Sequence, residues 1–243
     1  MPAIEGRNAV REALRAGVPV MRLLVAEGMK PDRGVDETLR LAQQAGVPVQ
    51  RVARRELDKL SERGAHQGLV AEVAPFRFTP LEQVIVSTVD EPRALVVALD
   101  HVTDPGNLGA IVRTAEVAGA AAVVAPERRS AAVTPAAYKA AAGAFAYLPV
   151  VQETNLVRAL GKLKGAGFWV AGADGRAEHS AWESPLDGRL VLVMGAEGEG
   201  LSRLVREACD FLVRLPQTGK VDSLNVAQAA AVLMYEWVRR AHV

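Results

Sequence analysis

Three stretches of this chain combine polar side chains with glycine at spacings that could do chemistry. The first is Gly195-Ala196-Glu197-Gly198-Glu199-Gly200-Leu201-Ser202, which follows the apolar run Val191 to Met194. Its glycines permit tight turns and close backbone approach to a ligand. Their spacing, G-x-x-G-x-G, is not the dinucleotide fingerprint G-x-G-x-x-G. Two carboxylates in the loop would repel a pyrophosphate, so a neutral or cationic ligand fits better. The plainer reading is a glycine turn with solvated glutamates. The second stretch is Leu215-Pro216-Gln217-Thr218-Gly219, then Ser223-Leu224-Asn225-Val226. Pro216 removes a backbone donor and Ser223 is a natural helix N-cap. Asn225 is expected at the second helical position, as either a satisfied structural amide or a ligand contact. The third is Asp104-Pro105-Gly106-Asn107-Leu108-Gly109-Ala110-Ile111-Val112-Arg113-Thr114-Ala115. It opens with turn chemistry, and Asn107 is expected to cap a helix carrying Arg113. Six residues at about 100° each leave a net rotation of about 240°. Asn107 and Arg113 therefore do not share a helix face, and Asn107 would act from the loop or first turn. A turn, a cap and a solvated arginine is the alternative.

Each stretch lies at the end of an apolar strand, which predicts one site built from loops at strand ends. The elements that must position it follow from periodicity. Residues 94–99 read as a strand buried on both faces. Further strands are predicted at 121–125, 168–171, 190–194 and 211–215. Helices are predicted at 107–118, 135–142, 154–164 (entered through Thr154) and 223–240. Strands alternating with helices argue for an α/β layered domain with a mainly parallel sheet. Upstream, helices at 5–16, 36–44 and 54–61 alternate with strands at 22–26, 47–52 and 69–73, a small α/β unit of about 75 residues. Residues 1–75 are thus expected to form one domain and 93–243 another. Residues 76–92, where Leu81 to Ile85 offer one or two helical turns, would be the linker.

The bulk numbers narrow the classes. The chain has 243 residues, half of them hydrophobic, and a formal net charge of +1, so any RNA-binding face must be local rather than a global field. One cysteine, Cys209, allows no internal disulfide and suits a reducing, cytoplasmic compartment. It reads as a small core residue rather than a nucleophile. The N-terminal residues lack an apolar signal region, and no run approaches the roughly 20 residues of a membrane helix. The four histidines, His66, His101, His179 and His242, show no metal-ligand pattern, so no metal is expected. Neither a G-x-S-x-G elbow nor a Walker A loop is present. An oxidoreductase on a doubly wound sheet is disfavoured by the glycine spacing and the acidic loop.

Together the three stretches resemble the motifs of the SpoU (TrmH-like) family of RNA ribose 2′-O-methyltransferases, in the SPOUT superfamily. Their motifs are D-P-x-N-x-G-x-x-x-R-T-A, a strand followed by G-x-E-x-x-G-L, and I/L-P-M-x-G-x-x-x-S-L-N-V-S. The resemblance covers residues 95–240, with all three in order. Gln217 stands where the family has methionine, and Ala227 where it has serine. Residues 4–73 resemble the small L30e-like domain of the subgroup that methylates a guanosine in large-subunit (23S) ribosomal RNA, through Glu5-Gly6-Arg7-Asn8-Ala9-Val10 and His66-Gln67-Gly68. The resemblance implies an α/β-knot fold with a deep C-terminal trefoil knot and S-adenosylmethionine as cofactor. It also implies a homodimer paired through C-terminal helices, here with Leu233, Met234, Tyr235 and Trp237 as the apolar surface; the plainer reading is that these residues pack inside one subunit. Asn107, Arg113, Glu197, Ser223 and Asn225 carry over as catalytic or near-catalytic. Gly195, Leu215 and Leu224, with Gly200 and Pro216, carry over as cofactor-binding. Arg7, Arg11, Arg63, His66 and Gln67 carry over as RNA-binding. A transfer-RNA methyltransferase and a non-catalytic RNA-binding protein of the same architecture are the alternatives.

Overall fold

A computed structural model describes residues 3–29, 32–61, 65–220 and 223–241. The chain divides into two compact units, Met1–Arg77 with Val133–Gly143, and Phe78–Ala132 with Ala144–Val243.

The first unit contains β1 (Ala3–Glu5), α1 (Arg7–Arg15), β2 (Val20–Ala26), α2 (Arg33–Gln44), β3 (Val49–Val52), α3 (Arg54–Leu60) and β4 (Leu69–Val73). Its sheet runs β1-β4-β2-β3, with β4 antiparallel to both β1 and β2 and β3 parallel to β2. Glu5, expected at a helix start, ends β1 instead. Gly6, at φ 96°, turns the chain out of the strand before the helix begins. β3 lies at the sheet edge just after Pro48, where a missing N–H costs no ladder bond. One face of the sheet buries Leu23, Val25, Leu69 and Ala71 against Val10 and Leu14 of α1 and Ala42 of α2. The other buries Leu24, Val52 and Val70 against Leu57 of α3.

The second unit continues with α4 (Leu81–Ser87), β5 (Ala94–Leu99), α5 (Pro105–Val117) and β6 (Ala122–Pro126). After α6 (Pro135–Ala141), which belongs to the first unit, come β7 (Val150–Glu153), α7 (Leu156–Gly165), β8 (Trp169–Ala173), β9 (Arg189–Met194), α8 (Arg203–Ala208), β10 (Phe211–Val213) and α9 (Val226–Arg240). The sheet is parallel throughout, in the order β10-β8-β9-β5-β6-β7. Every residue of β5 is buried, as its continuous apolar run requires. Each fully buried Val or Leu here contributes about 1.5–3 kcal/mol relative to exposure. The four-residue edge strand β7 was not anticipated. Its Val150-Val151-Gln152-Glu153 buries only the first two residues, too short an apolar signal to stand out.

Three helix caps differ from expectation. Asp104, not Asn107, caps α5, accepting the Asn107 N–H at 2.8 Å. Asn155, not Thr154, caps α7 by accepting the Arg158 N–H at 3.0 Å. Asn225, not Ser223, caps α9, accepting the Ala227 and Gln228 N–H groups at 2.9 and 3.4 Å. Leu233, Met234 and Trp237, expected on an exposed pairing face, are buried within this chain, and the Trp237 indole donates to the Gly188 carbonyl at 3.0 Å. Tyr235 alone of that set is exposed.

Candidate functional site

β5 and β9 run side by side, so the loops that leave them emerge together at one end of the sheet. The buried Asp100 fastens these loops. One carboxylate oxygen accepts the Ser202 N–H at 2.6 Å, and the other accepts His101 Nδ1–H at 2.6 Å. That second bond holds His101 in the left-handed conformation, φ 59°, which few side chains adopt without a local partner.

The Gly195–Gly200 loop folds back on itself. Ala196 and Gly200 exchange N–H···O bonds at 3.1 and 2.9 Å, and Gly198 and Gly200 take φ of 80° and 73°. A Cβ on Gly195 would lie 2.3 Å from the Gly200 carbonyl carbon, so only glycine fits there. The tight loop presents Glu197 and Glu199 outward.

Glu197 is where the three sequence stretches meet. Its Oε1 accepts from Asn107 Nδ2 at 3.2 Å, from Asn225 Nδ2 at 2.6 Å and from the Val226 N–H at 3.3 Å. Asn225 Nδ2 also donates to Asn107 Oδ1 at 2.9 Å. A carboxylate at the first turn of α9 is further favoured by the helix dipole. Asn107 reaches this junction because Asp104 has taken over the capping, which leaves its amide free. Arg113 is not part of it. It lies exposed on α5, with no hydrogen bond or ion pair among the described residues.

Beside the junction is a cleft of about 600 Å³. Gly195, Gly200, Leu215, Ser223 and Leu224 line it, as does Glu197, while Pro216 is not among its lining residues. The sequence reading missed one wall: Asp174, Gly175 and Arg176 after β8, with Arg206 from α8. Asp174 pairs with Arg206 at 2.9 Å and accepts the Arg176 N–H at 2.8 Å. The signal was present, since Asp174-Gly175 is turn chemistry at a strand end, the logic that singled out the other loops. Cys209 stands apart from the cleft. Burial pushes its thiol up to about 12, and it donates to the Val205 carbonyl at 3.3 Å, which makes it an inert packing residue.

The residues expected to meet RNA lie in the first unit. Arg7 donates from Nε to the Gln67 carbonyl at 3.1 Å and forms an ion pair with Asp32. Arg11 donates to Asn8 Oδ1 at 2.9 Å. His66 is corrected from a surface contact to a buried brace, 1% exposed. Its Nδ1 accepts the Gly68 N–H at 3.0 Å, which leaves Nε2 to donate to Asp58 at 2.9 Å. Arg63 lies outside the described residues. Among the described residues no cluster of three His, Cys, Asp or Glu could hold a metal, and no helix is long and apolar enough to cross a membrane.

Comparison with known proteins gives two family matches. Residues 94–235 match the SpoU rRNA Methylase family, and residues 3–79 match the RNA 2′-O ribose methyltransferase substrate binding family. The 23S rRNA (guanosine-2′-O-)-methyltransferase RlmB of Pseudomonas putida is 46% identical over 227 residues, covering 92% of this chain and 90% of its own. A putative TrmH family tRNA/rRNA methyltransferase of Staphylococcus aureus is 39% identical over 240 residues, covering 98% of this chain and 96% of its own. The crystal structure of the SpoU methyltransferase AviRb from Streptomyces viridochromogenes in complex with AdoMet superposes with a TM-score of 0.65 at 25% identity, covering 99% of this chain and 90% of that one.

Proposed function

We propose, from the premise that this chain belongs to the SpoU rRNA Methylase family, that it is an S-adenosylmethionine-dependent RNA ribose 2′-O-methyltransferase acting on a guanosine of large-subunit (23S) ribosomal RNA. The observation that carries the chemistry is the junction of Asn107 in the first turn of α5, Glu197 in the Gly195–Gly200 loop and Asn225 at the cap of α9, which meet beside one cleft. The Pseudomonas putida relative and the match of the first unit to a substrate-binding family support the ribosomal target. Transfer RNA remains the second reading, because the Staphylococcus aureus relative carries both substrates in its name.

The cleft fits the cofactor on its own terms. Its volume lies in the range of small-molecule sites, about 300–1,000 Å³. Its glycine loop brings backbone close, and the exposed carboxylates of Glu197 and Glu199 suit a cation. S-adenosylmethionine, when bound, supplies a methyl group already activated by its sulfonium. Gly195, Gly200, Leu215 and Leu224 are the positions proposed to hold it, with Pro216 setting the bend between two lining residues. What remains for the protein is to align a ribose 2′-hydroxyl with that methyl and help its proton leave. Glu197, fixed by three donors through Oε1, holds Asn107 and Asn225 in place. Ser223 faces the cleft and supplies a hydroxyl at its rim. Arg113 stands exposed on α5. Its role is to bind a substrate phosphate and stabilise developing alkoxide charge, with the proton passing to phosphate or water.

Homodimer formation through α9, a knotted C-terminal segment and a cytoplasmic location belong to the same proposal. The strand order is compatible with the knot: β9 lies between β8 and β5, so the chain must cross back past β8 to form β10. The test is methyl transfer from radiolabelled S-adenosylmethionine to undermodified ribosomal and transfer RNA in parallel, with the 2′-O-methyl mapped to its nucleotide. One labelled guanosine in large-subunit RNA is the expected result. Label in transfer RNA would reassign the substrate, and absence of cofactor binding would overturn the activity. Arg113→Ala should abolish turnover with cofactor affinity intact, and Arg113→Lys should fail as well, since lysine lacks the bidentate fork.

A further inference from the structure

The parallel sheet of the second unit divides its strand ends between two tasks. The cleft is lined from the ends of β8, β9 and β10 and from α9, and among the described residues none from β5, β6, β7 or the loops after them lines it. The junction of Asn107, Glu197 and Asn225 stands at the boundary, where β9 meets β5. The order β10-β8-β9-β5-β6-β7 then sets β6 on the side away from the cleft. Its end is level with that of β5, since the two run parallel with Ala98 beside Val124. At about 4.8 Å per strand, the loop after β6 starts roughly 5 Å from the end of β5 and roughly 10 Å from the end of β9. A ribose that meets a methyl group at this junction must arrive from the side that the cleft does not occupy.

The loop after β6, Glu127-Arg128-Arg129-Ser130-Ala131, carries two exposed arginines that form no ion pair or side-chain hydrogen bond among the described residues. It is tied at both ends. The Glu127 N–H donates to the Glu153 carbonyl at 2.9 Å, and the Ala131 N–H donates to the Val102 carbonyl at 2.8 Å. The second bond fastens it to the segment that runs from β5 into α5, and so to Asn107. Arg129 holds φ at 56°, a left-handed conformation that arginine seldom adopts. Ser130 Oγ is buried with no hydrogen-bond partner among the described residues. Strained backbone and unpaired buried hydroxyls of this kind gather at binding sites. Glu127 is exposed beside the arginines, so the loop is not a broad positive field. Discrete bidentate contacts, which arginine makes to phosphate and lysine does not, suit such a mixed surface. We propose that Arg128 and Arg129 hold the phosphates beside the target nucleotide and so set its ribose against the junction, with the cofactor on the β9 side and the RNA strand on the β6 side. The inference rests on the reading of the chain as an RNA methyltransferase. It gives the catalytic unit a strand-positioning contact of its own, apart from the cleft and from Arg113.

The test compares the full wild-type chain with Arg128→Gln/Arg129→Asn on an unmodified large-subunit ribosomal RNA transcript. Asparagine tolerates the left-handed backbone at this position and removes the cation. The KM for RNA should rise at least about tenfold, with kcat and the calorimetric Kd for S-adenosylmethionine unchanged. The slope of log RNA affinity against log salt should fall by about 0.7–0.9 for each arginine removed. Arg128→Lys and Arg129→Lys, which keep the charge and lose the fork, should keep the slope and recover only part of the KM. Lys162→Gln, in the last turn of α7 where Lys162 pairs with Glu82, should change none of these quantities. A double variant with the wild-type KM and salt slope overturns the proposal. So does one whose S-adenosylmethionine affinity falls, which would tie the loop to the cleft instead, and so does one that loses kcat alone. A wild-type chain that transfers no methyl group would overturn the proposed activity, and the RNA affinity and its salt slope would then decide the loop by themselves.

Discussion

At the scale of single residues, Asn225 has two tasks that one substitution can separate. Its Oδ1 caps α9, and its Nδ2 donates to Asn107 and Glu197. Aspartate caps a helix as well as asparagine does, but it has no donor and sets a second negative charge against Glu197. Asn225→Asp should therefore keep its helix content by circular dichroism and lose about a hundredfold or more in turnover. Turnover at the wild-type level would mean that the donor is not needed. Gly195 makes a different demand. Gly195→Ala forces a methyl into the Gly200 backbone, and overpacking of this kind costs about 1–3 kcal/mol or more. The expected result is a lower melting temperature together with weaker S-adenosylmethionine binding in a calorimetric titration. The residue types were legible from sequence, but their partners were not. Nothing in a linear spacing says that Asn107 and Asn225, 118 positions apart, end on the same carboxylate.

At the scale of elements, strands were read more securely than helix starts. The β5 run is apolar throughout and buried throughout, so composition alone sufficed. Helix starts failed where two capping residues compete within three positions. Asp104 displaced Asn107, Asn155 displaced Thr154 and Asn225 displaced Ser223. In each case local geometry chose between side chains of similar capping strength. α9 also carries a charge cluster that its apolar pattern concealed. Glu236 is buried between Arg239 and Arg240 at 2.8 Å. Hydrogen bonds from Arg239 first, then Arg240, hold its carboxyl below the usual carboxylate range, against an opposing push from burial. A carboxyl depressed on folding stabilises the fold above its unfolded value and loses that stabilisation as pH falls through its folded value. The melting temperature should therefore drop as pH is lowered through about 4.5 and beyond. Glu236→Gln, compared across the same pH series, should give a shallower acid limb. An unchanged acid limb would assign the loss to other carboxylates.

At the scale of the whole molecule, alternating strands and helices gave the layered α/β class, but they could not give the order β10-β8-β9-β5-β6-β7. That order depends on which strand edges remain open as the chain returns, and a pattern read along one chain holds no record of it. Association with a second copy is likewise a surface property, and burial now narrows it. α9 turns Val226, Ala230, Leu233, Met234 and Trp237 into its own subunit. Val232 and Tyr235 stay outward, 39% and 49% exposed, three positions apart on one helical stripe. A stable symmetric pairing needs about 800 Å² from each partner, with aromatic anchors near its centre. An isologous contact through α9 would set the Val232–Tyr235 stripe against its own symmetry mate. Val232→Glu/Tyr235→Glu would then place like charges face to face at that contact. Sedimentation should show twice the chain mass for the wild type at micromolar concentration and a single chain mass for the double variant, with matching circular dichroism. The sites are exposed in one chain, so the substitutions leave its core intact and their effect must come from the contact between copies. A wild type that stays at one chain mass at every concentration, or a double variant that stays at twice that mass, would remove α9 as the pairing surface.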